Sequence, residues 1–584
     1  MSKRLLLALG IVLAAVLLGS CLRGYAMLSH KQLAHDEAVT YLVATGHMGA
    51  WEKAVGPGGL TGKWEPISVW KKLIQPGPFW DFGTIRSDLA HYDNHPPLYF
   101  WLVHIWIAAF GLNLNSGILL NIGIAFVTAL LLFGLARTVL RNDLLAASVP
   151  AVWTLSPPVL ATALQARQYD LLAFFTVAFV WLLTWLPAAK TRLRWWTLVL
   201  LALTTAGGLL THYHFFLVLL GGGVFAALRL WRVDRRRLAW LTGAALAGVA
   251  LFVAGQPLFY LSFEHQTGQA STPTWGGFGE RLGNVVSGLA AFFGTADAAY
   301  WLIGFGVLAV AAATTVLVRR RAAGAAGTAT LPAAAADTLA PDPAASVPAA
   351  SDPSTAETAS TIVPDGSDAG IDPAPASQAT SAADAAPGGR LQGRWAPAMF
   401  FLCWNAAATI LLYLAFRSPL YAMHDRYLAA IWPFLAFLPA LLAGVFGRWR
   451  TLAVALLCLA VLLPGSIVRM NSYTPRTPNP VPSFKRAHHF VIVGVTRGNL
   501  TRVLWHIPAG KQVFVDPQQS MYLDRSKWLP RLVTRDVFVY DLGDPQNPAI
   551  QRDMFSWISA RFPRHRSGTV WGLFEFWRVY PKPQ

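Results

Sequence analysis

The chain has 584 residues, of which 54% are hydrophobic and 13% are charged, and its mean hydropathy is +0.43. This composition excludes an ordinary soluble globular protein, because so much apolar surface needs lipid as its solvent. The formal net charge of +18 does not indicate a nucleic-acid-binding protein, because the basic residues stand in short clusters between apolar runs. Such clusters are typical of the cytoplasmic loops of membrane proteins.

The N-terminal segment has two basic residues, Lys3 and Arg4, followed by an apolar run from Leu5 to Leu22. This pattern predicts a first membrane helix, with a cleaved signal peptide as the alternative. The three cysteines of the chain lie in or beside apolar runs. They therefore predict neither a disulfide framework nor a metal site.

About 20 apolar residues are needed to cross the hydrocarbon layer of a membrane. By this measure we predict about eleven transmembrane helices, near residues 5–26, 117–136, 144–162, 168–186, 195–211, 213–230, 239–262, 300–318, 397–416, 428–447 and 451–468. With a cytoplasmic N-terminus, these crossings place every basic cluster inside and the C-terminus outside. The apolar stretch from Pro97 to Phe110 does not fit, and we interpret it as re-entrant or interfacial, or as a span whose partner is missing from the count.

The predicted fold is a mainly α, polytopic membrane protein with a small C-terminal α/β domain. Residues 1–321 form the first membrane domain, with a periplasmic loop at 28–95, and residues 394–470 supply the remaining transmembrane helices. Residues 322–393 contain no aromatic residue and cannot bury a core, so they predict a disordered cytoplasmic linker. Residues 471–584 predict the periplasmic α/β domain.

The prediction for this last domain rests on alternating strand-like and helical patterns. The strand-like runs are Phe490 to Val495, Gln512 to Val515, Val537 to Tyr540 and Thr569 to Tyr580, and the helical stretch lies around Ile550 to Arg561. Such a mixture is typical of a small α/β layer that could cover a membrane site or grip an acceptor.

Two adjacent carboxylates, Asp36 and Glu37, follow the first predicted span. A carboxylate in a partly apolar cleft at a membrane surface can accept a proton from a hydroxyl, so the pair predicts a general base or a cation site. The alternative is that these residues only mark the end of a helix at the interface.

A second polar segment, DLAHYDNHPPLY from Asp88 to Tyr99, lies directly before an apolar stretch. Proline at the start of a helix leaves no backbone donor unsatisfied, so Pro96 and Pro97 predict a rigid junction that holds His95 at the membrane surface. A donor or cation there suits a lipid phosphate, and Asp93 stands two residues before it. The alternative is an ordinary loop-to-helix junction with aromatic interfacial anchors.

A third set of polar residues lies at the predicted outer ends of several spans. They are Arg167, Tyr169, Asp170, His212, His214, His424, Asp425, Arg426 and Tyr427. Arginine and protonated histidine are natural partners of phosphate, and charges at membrane depth are by default hypotheses of a functional site. A single arginine could instead be an interfacial residue whose charge reaches water. The coincidence of the whole set on one face favours a site.

The order and sidedness of these motifs resemble the GT-C superfamily of membrane glycosyltransferases, within it the branch of protein mannosyltransferases and aminoarabinose transferases. The matching features are an acidic dyad after the first helix, an outer loop ending in His95-Pro96-Pro97, Arg167 and Tyr169 between paired helices, and a late Arg426-Tyr427. The linker at 322–392 departs from the usual pattern but lies on the predicted cytoplasmic side.

The resemblance implies an inverting transfer of a sugar from a polyprenyl-phosphate donor to a periplasmic acceptor, at the inner membrane of a bacterium. Asp36 would be the base, and Glu37 and Asp93 would orient the acceptor or a cation. The donor phosphate would be bound by His95, Arg167 and Arg426, with weaker substrate-binding candidates at Tyr169, His212, His214, His424 and Tyr427. No cofactor is implied, although a divalent cation is the alternative because some relatives need one.

Two other classes of function remain open from the sequence. A transporter or flippase of polyprenyl-linked sugars should show polar residues at mid-membrane and an internal repeat, whereas here the polar groups cluster at one rim. A non-catalytic assembly factor would leave the acidic dyad and His95 without a use. The sequence identifies neither the sugar nor the acceptor, which could be a glycolipid, a polysaccharide or a protein.

Overall fold

The computed structural model describes residues 2–29, 33–185, 193–262, 425–440, 487–493, 497–516, 537–541, 566–570 and 574–578, with shorter pieces between 282 and 292, at 404 and 407, and between 462 and 485. The predicted linker at 322–393 and the predicted span at 300–318 lie outside the described residues, as do most of the spans at 397–416 and 451–468. The described residues belong to one unit, made of residues 1–312 and 395–584.

Helices account for most of the described N-terminal half. They are α1 (Lys3–Ser29), α2 (His35–Ala44), α3 (Met48–Val55), α4 (Ile67–Lys72), α5 (Phe82–Tyr92), α6 (Leu98–Phe110), α7 (Ser116–Leu140), α8 (Asp143–Leu155), α9 (Pro157–Ala163), α10 (Tyr169–Trp185), α11 (Trp195–Thr211), α12 (Phe215–Leu230) and α13 (Arg235–Gly255). Further along, a short 3-10 helix covers Asp425–Leu428 and α14 covers Trp432–Leu435.

Three of these helices, α1, α7 and α13, are long and apolar enough to cross a membrane. Helices α8 and α9 pass the same test together but are bent by 57° at Ser156, because the following Pro157 holds Ser156 in an extended conformation. Shorter apolar helices, α10, α11 and α12, pack beside them. The chain is therefore an integral membrane protein with a mainly helical fold.

The observed helices agree with the first seven predicted spans, because α1, α7, α8 with α9, α10, α11, α12 and α13 each overlap one of them. The stretch from Pro97 to Phe110 forms α6, whose 13 residues extend about 20 Å and are shorter than the hydrocarbon layer. Its interpretation as re-entrant or interfacial, like the total number of crossings, stays a prediction.

The segment predicted as an outer loop, 28–95, is folded rather than irregular. It contains α2, α3, α4 and α5, and its short strand β1 (Trp64–Pro66) joins a sheet built from the C-terminal part of the chain. Trp51 and Trp70 are fully buried in this segment and meet edge to face. A loop with its own buried aromatic residues is a rigid support for a site rather than a flexible cover.

The sheet has six strands in the order β1-β3-β2-β4-β6-β5. Its C-terminal strands are β2 (His489–Val493), β3 (Gln512–Asp516), β4 (Val537–Asp541), β5 (Arg566–Val570) and β6 (Phe574–Arg578). Strands β3 and β4 flank β2 in parallel, while β1, β6 and β5 pair antiparallel to their neighbours. The predicted run from Thr569 to Tyr580 therefore covers parts of two strands. The predicted helix at 550–561 lies outside the described residues.

A helix that the sequence analysis did not predict, α15 (Arg497–His506), connects β2 to β3 and packs against α2. Trp505 stacks on Tyr41 with ring centroids 6.0 Å apart. The buried Arg502 donates from Nε to the carbonyl oxygen of Leu33, at 2.5 Å, just before α2 begins. The C-terminal sheet thus fixes the helix that carries the acidic dyad.

Candidate active site

Asp36, in the first turn of α2, lies between two arginines from distant parts of the chain. Its Oδ1 is 3.2 Å from Nη2 of Arg167, and its Oδ2 accepts a hydrogen bond from Nη1 of Arg426. Burial alone would raise the pKa of Asp36, but the two guanidinium groups hold it far below its usual range. Asp36 is therefore an ionised carboxylate that bridges two cations.

Arg167 stands on the turn between α9 and α10, and its side chain is only 7% exposed. Burial alone would lower the pKa of Arg167, but the nearby carboxylates of Asp36 and Asp93 together have the larger effect and raise it above its usual value. The side chain therefore stays charged. Asn121, in the second turn of the apolar α7, donates from Nδ2 to the carbonyl oxygens of Gln165 and Arg167, at 2.6 and 3.2 Å. Nη1 of Arg167 is buried and has no hydrogen-bond partner among the described residues.

Glu37 is fully buried, and its carboxylate accepts hydrogen bonds from two backbone amides. Oε2 accepts from the amide of Ala34 at 2.7 Å, which completes the first turn of α2, and Oε1 accepts from the amide of Ala166 at 3.3 Å. Glu37 therefore ties the helix of Asp36 to the turn of Arg167. Its predicted role toward an acceptor or a cation stays a prediction.

Asp93 and His95 form a pair before the start of α6. Nδ1 of His95 donates to Oδ1 of Asp93 at 2.8 Å, and the amide of Asn94 donates to the same oxygen at 2.7 Å. Burial raises the pKa of Asp93, but His95 and Arg167 lower it to about 2. The bond to Asp93 fixes the His95 ring, which leaves Nε2 available to another group.

His212 and His214 occupy the turn between α11 and α12, with ring centroids 4.5 Å apart. The ring of His212 also lies 6.1 Å from that of His95 and 6.0 Å from that of Tyr169. Burial and the neighbouring histidines lower the pKa of His212 well below its usual value and that of His214 to about 4. Both rings are neutral near pH 7, so they offer hydrogen bonds rather than the positive charge that the sequence suggested.

The predicted residues near position 426 are described only in part. The guanidinium of Arg426 lies 6.0 Å from the ring centroid of Tyr169. Tyr427 belongs to the 3-10 helix, but its side chain, like the whole of His424, lies outside the described residues. Eight of the predicted residues lie close together at one end of the helices: Asp36, Asp93, His95, Arg167, Tyr169, His212, His214 and Arg426.

Sequence reasoning missed several residues that build the site. Gly117, at the start of α7, has no room for a Cβ, which would lie 2.3 Å from the Cβ of Ala166. The close approach sets the position of the turn that carries Arg167. In the sequence, the lone Asn121 inside an apolar helix could have indicated this contact, because a buried amide needs a hydrogen-bond partner.

Nothing in the described part of the chain forms a group of three or more His, Cys, Asp or Glu residues suited to a metal ion. The site brings together two arginines, the carboxylates of Asp36 and Asp93, three imidazoles and a phenol. At the edge of a membrane, two fixed cations can bind an anion, and the carboxylate beside them can receive a proton.

Two solved structures share this fold. One is ArnT from Cupriavidus metallidurans bound to undecaprenyl phosphate, with 11% identity, a TM-score of 0.51, and coverage of 98% of this chain and 99% of that chain. The other is the same ArnT in the apo state, with 12% identity, a TM-score of 0.52, and coverage of 98% and 100%. No family model and no curated protein matches the chain. The predicted resemblance to GT-C proteins is thus confirmed at the level of the fold.

Proposed function

We propose that this protein is an inverting glycosyltransferase that moves a sugar from a polyprenyl-phosphate donor to an acceptor on the periplasmic side of a bacterial inner membrane. The observation that carries the proposal is the carboxylate of Asp36 between Arg167 and Arg426 at the rim of the membrane helices. A fold similar to that of ArnT, a protein crystallised with undecaprenyl phosphate, supports the class of donor.

The donor phosphate would be bound by Arg167 and Arg426, with Nε2 of His95 as a third partner. Guanidinium groups bind phosphate oxygens through two parallel hydrogen bonds, and burial strengthens these bonds. The leaving phosphate gains negative charge during transfer, so fixed cations stabilise the transition state more than the ground state. The membrane helices beside the rim offer the polyprenyl tail an apolar environment.

Asp36 would act as the general base. The acceptor oxygen attacks the anomeric carbon, and its proton passes to the Asp36 carboxylate as the new glycosidic bond forms. The bond between the anomeric carbon and the phosphate oxygen breaks, and its electron pair stays on the polyprenyl phosphate. A single displacement from the face opposite the phosphate inverts the anomeric centre, so no carboxylate nucleophile is needed.

The other predicted residues would bind the sugar and the acceptor. His212 and His214 are neutral hydrogen-bonding groups, and Tyr169 presents a ring beside them. Oδ2 of Asp93 is buried, has no hydrogen-bond partner within the ranges that the structure describes, and would accept from a sugar hydroxyl. We infer that Glu37 positions Asp36 and Arg167, and we retain His424 and Tyr427 as substrate-binding candidates.

The positions of the basic clusters support the periplasmic orientation. Arg137, Arg141 and the run Arg235 to Arg237 lie at the ends of the helices opposite the site. Basic residues mark cytoplasmic ends, which supports a site on the outer side. We infer that residues 471–584 form a periplasmic domain that holds α2, and that the linker at 322–393 is cytoplasmic.

The proposal is tested by sugar transfer in membranes that contain the intact protein, Asp36→Ala, or Asp143→Ala as a matched acidic control at the opposite end of the helices. Radiolabelled polyprenyl-phosphate sugars and the host's own lipid and protein fractions are supplied at equal expression levels. We expect label to move to an acceptor with the intact protein and with Asp143→Ala, and transfer to fall by about 10²–10⁴-fold with Asp36→Ala. Label that only changes leaflet, equally in all three membranes, would instead establish a flippase.

A further inference from the structure

The two arginines proposed to bind the donor phosphate already have an anionic partner. Each oxygen of the Asp36 carboxylate contacts a different guanidinium, so the bridge uses both oxygens. All three side chains are largely buried, with 7%, 20% and 24% exposure for Arg167, Arg426 and Asp36. Asp36 therefore stands where a bridging phosphate would stand.

The bridge has a cost for catalysis. The two guanidinium groups hold the pKa of Asp36 far below its usual range, and a carboxylate with so low a pKa is a weak acceptor of a hydroxyl proton. The same contacts that keep the site ordered thus suppress the base. An efficient base requires that the positive charge beside Asp36 be neutralised or moved.

A donor phosphate supplies that neutralisation, since it carries negative charge and prefers the same guanidinium partners. We propose that the donor phosphate displaces Asp36 from Arg167 and Arg426, so that the base is released only in a site that already holds its donor. This inference rests on the proposed function and adds an order of events to it: the donor binds first, and the acceptor hydroxyl is activated second.

The exchange has a starting point in the structure. Nη1 of Arg167 is buried and has no hydrogen-bond partner in the described part of the chain, while Nη2 of the same side chain contacts Asp36. A phosphate oxygen can bind Nη1 before the bond to Asp36 is broken, so the arginine is never left without a partner. Charge repulsion between the phosphate and Asp36 then favours separation of the carboxylate.

The exchange also runs in reverse after transfer. The product, polyprenyl phosphate, carries the negative charge released by the broken bond, and Asp36 carries the acceptor proton. Once that proton is lost to water, the Asp36 carboxylate competes again for the two arginines and displaces the product. One side chain would thus limit premature activation and assist product release.

The decisive measurement is the affinity of the detergent-solubilised full chain for undecaprenyl phosphate, with polyprenol as the uncharged control. Asp36→Asn removes the competing charge at nearly constant size. We expect this variant to bind undecaprenyl phosphate at least about tenfold more tightly than the unaltered protein does. Glu65→Gln, which removes a charge of the same folded segment that pairs with Lys63, should bind like the unaltered protein. Equal or weaker binding by Asp36→Asn would overturn the exchange and indicate that Asp36 organises the arginines for phosphate.

A second measurement on the unaltered protein covers the case in which Asp36→Asn does not fold. Dicyclohexylcarbodiimide modifies protonated carboxyl groups, so undecaprenyl phosphate should increase labelling of Asp36 by about tenfold as its pKa rises, with Glu65 as the internal reference. Unchanged or reduced labelling of Asp36 would contradict the proposal. If undecaprenyl phosphate bound neither the unaltered protein nor Asp36→Asn, the proposed donor class would instead be overturned.

Discussion

The two ends of the membrane helices use charge in different ways. At the sheet-side rim, the ends of the helices that surround Asp36, the ion pair of Asp36 with Arg426 joins residues 390 positions apart. At the opposite rim, the ends at residues 137–143 and 231–237, Arg137 pairs with Asp143 and Arg237 with Asp234, six and three positions away. The side chain of Arg137 is 44% exposed, whereas that of Arg167 is 7% exposed.

Under the proposed function, this difference separates charges that mark topology from charges that take part in the reaction. An exposed local ion pair contributes about 0–1 kcal/mol, and its arginine fits the proposed cytoplasmic ends of the helices. A buried bridge across the chain is different, because removal of one partner costs roughly 3–5 kcal/mol by leaving a charge without compensation. Such an arrangement persists where it serves a function.

In this comparison of the two rims, the largest expected effect comes from replacing one arginine at the sheet-side rim, with one arginine at the opposite rim as the control. Arg167→Ala should lower sugar transfer by about 10²–10³-fold, because it removes a buried cation from the phosphate and from Asp36. Arg137→Ala removes an exposed cation at the opposite rim and should change transfer by less than about twofold. Initial rates in membranes with equal protein content make the comparison.

Arg167→Lys sharpens this test, because lysine keeps the charge but cannot reproduce the two parallel hydrogen bonds. Transfer by Arg167→Lys should lie between that of Arg167→Ala and that of the unaltered protein. Equal losses for Arg167→Ala and Arg137→Ala would remove the distinction between the rims.

A smaller effect is expected from two glycines on the same helix, α7. A Cβ on Gly117 would lie 2.3 Å from the Cβ of Ala166 and 3.0 Å from its Cα, whereas nothing lies within 4 Å of a Cβ on Gly123. Gly117→Ala should therefore displace the turn of Arg167, destabilise the protein by about 1–3 kcal/mol and lower transfer by about tenfold. Thermal unfolding and transfer rates, measured on Gly117→Ala and Gly123→Ala together, provide the test.

Gly123→Ala is the matched control and should be neutral or slightly stabilising, since alanine forms helix more readily than glycine. If the two alanine variants behaved alike, the close contact between α7 and Ala166 would not position the site.

Glu37 allows a further test of how the sheet-side rim is held. In Glu37→Gln the side chain keeps one acceptor oxygen but presents an NH2 group to one of two backbone amides, so one contact becomes repulsive. We expect a loss of about 1–3 kcal/mol in the free energy of unfolding. Chemical denaturation should show this loss for Glu37→Gln but not for Glu65→Gln. If Glu37→Gln were as stable as the unaltered protein, the contacts of Glu37 with the amides of Ala34 and Ala166 would not hold this rim together.

Most of the membrane fold and part of the site could be predicted from the sequence, because apolar length and the order of polar motifs are local properties. Asp36 and Arg167, which contact each other in the structure, were predicted as site residues in this way, each from its position at the end of a span. The fold of 28–95 could not be predicted, since β1 is three residues long and gains its partner from β3. The sequence also could not show that Glu37 contacts backbone, because that role depends on Ala166 in a distant turn.

The smallest expected effect is a dependence of stability on pH that belongs to the sheet-side rim. Burial lowers the pKa of His214 to about 4 in the folded protein, from an ordinary value near 6.5. The unfolded chain therefore binds more protons between these values, and the stability contributed by neutral His214 is complete above pH 6.5 and is lost as the pH falls toward 4. His214→Gln should show a shallower fall in melting temperature over this range, while Arg137→Ala should keep the full slope. Because His212 titrates in the same direction, part of the slope should remain in His214→Gln, and a slope unchanged by that substitution would mean that His214 is not held neutral by burial.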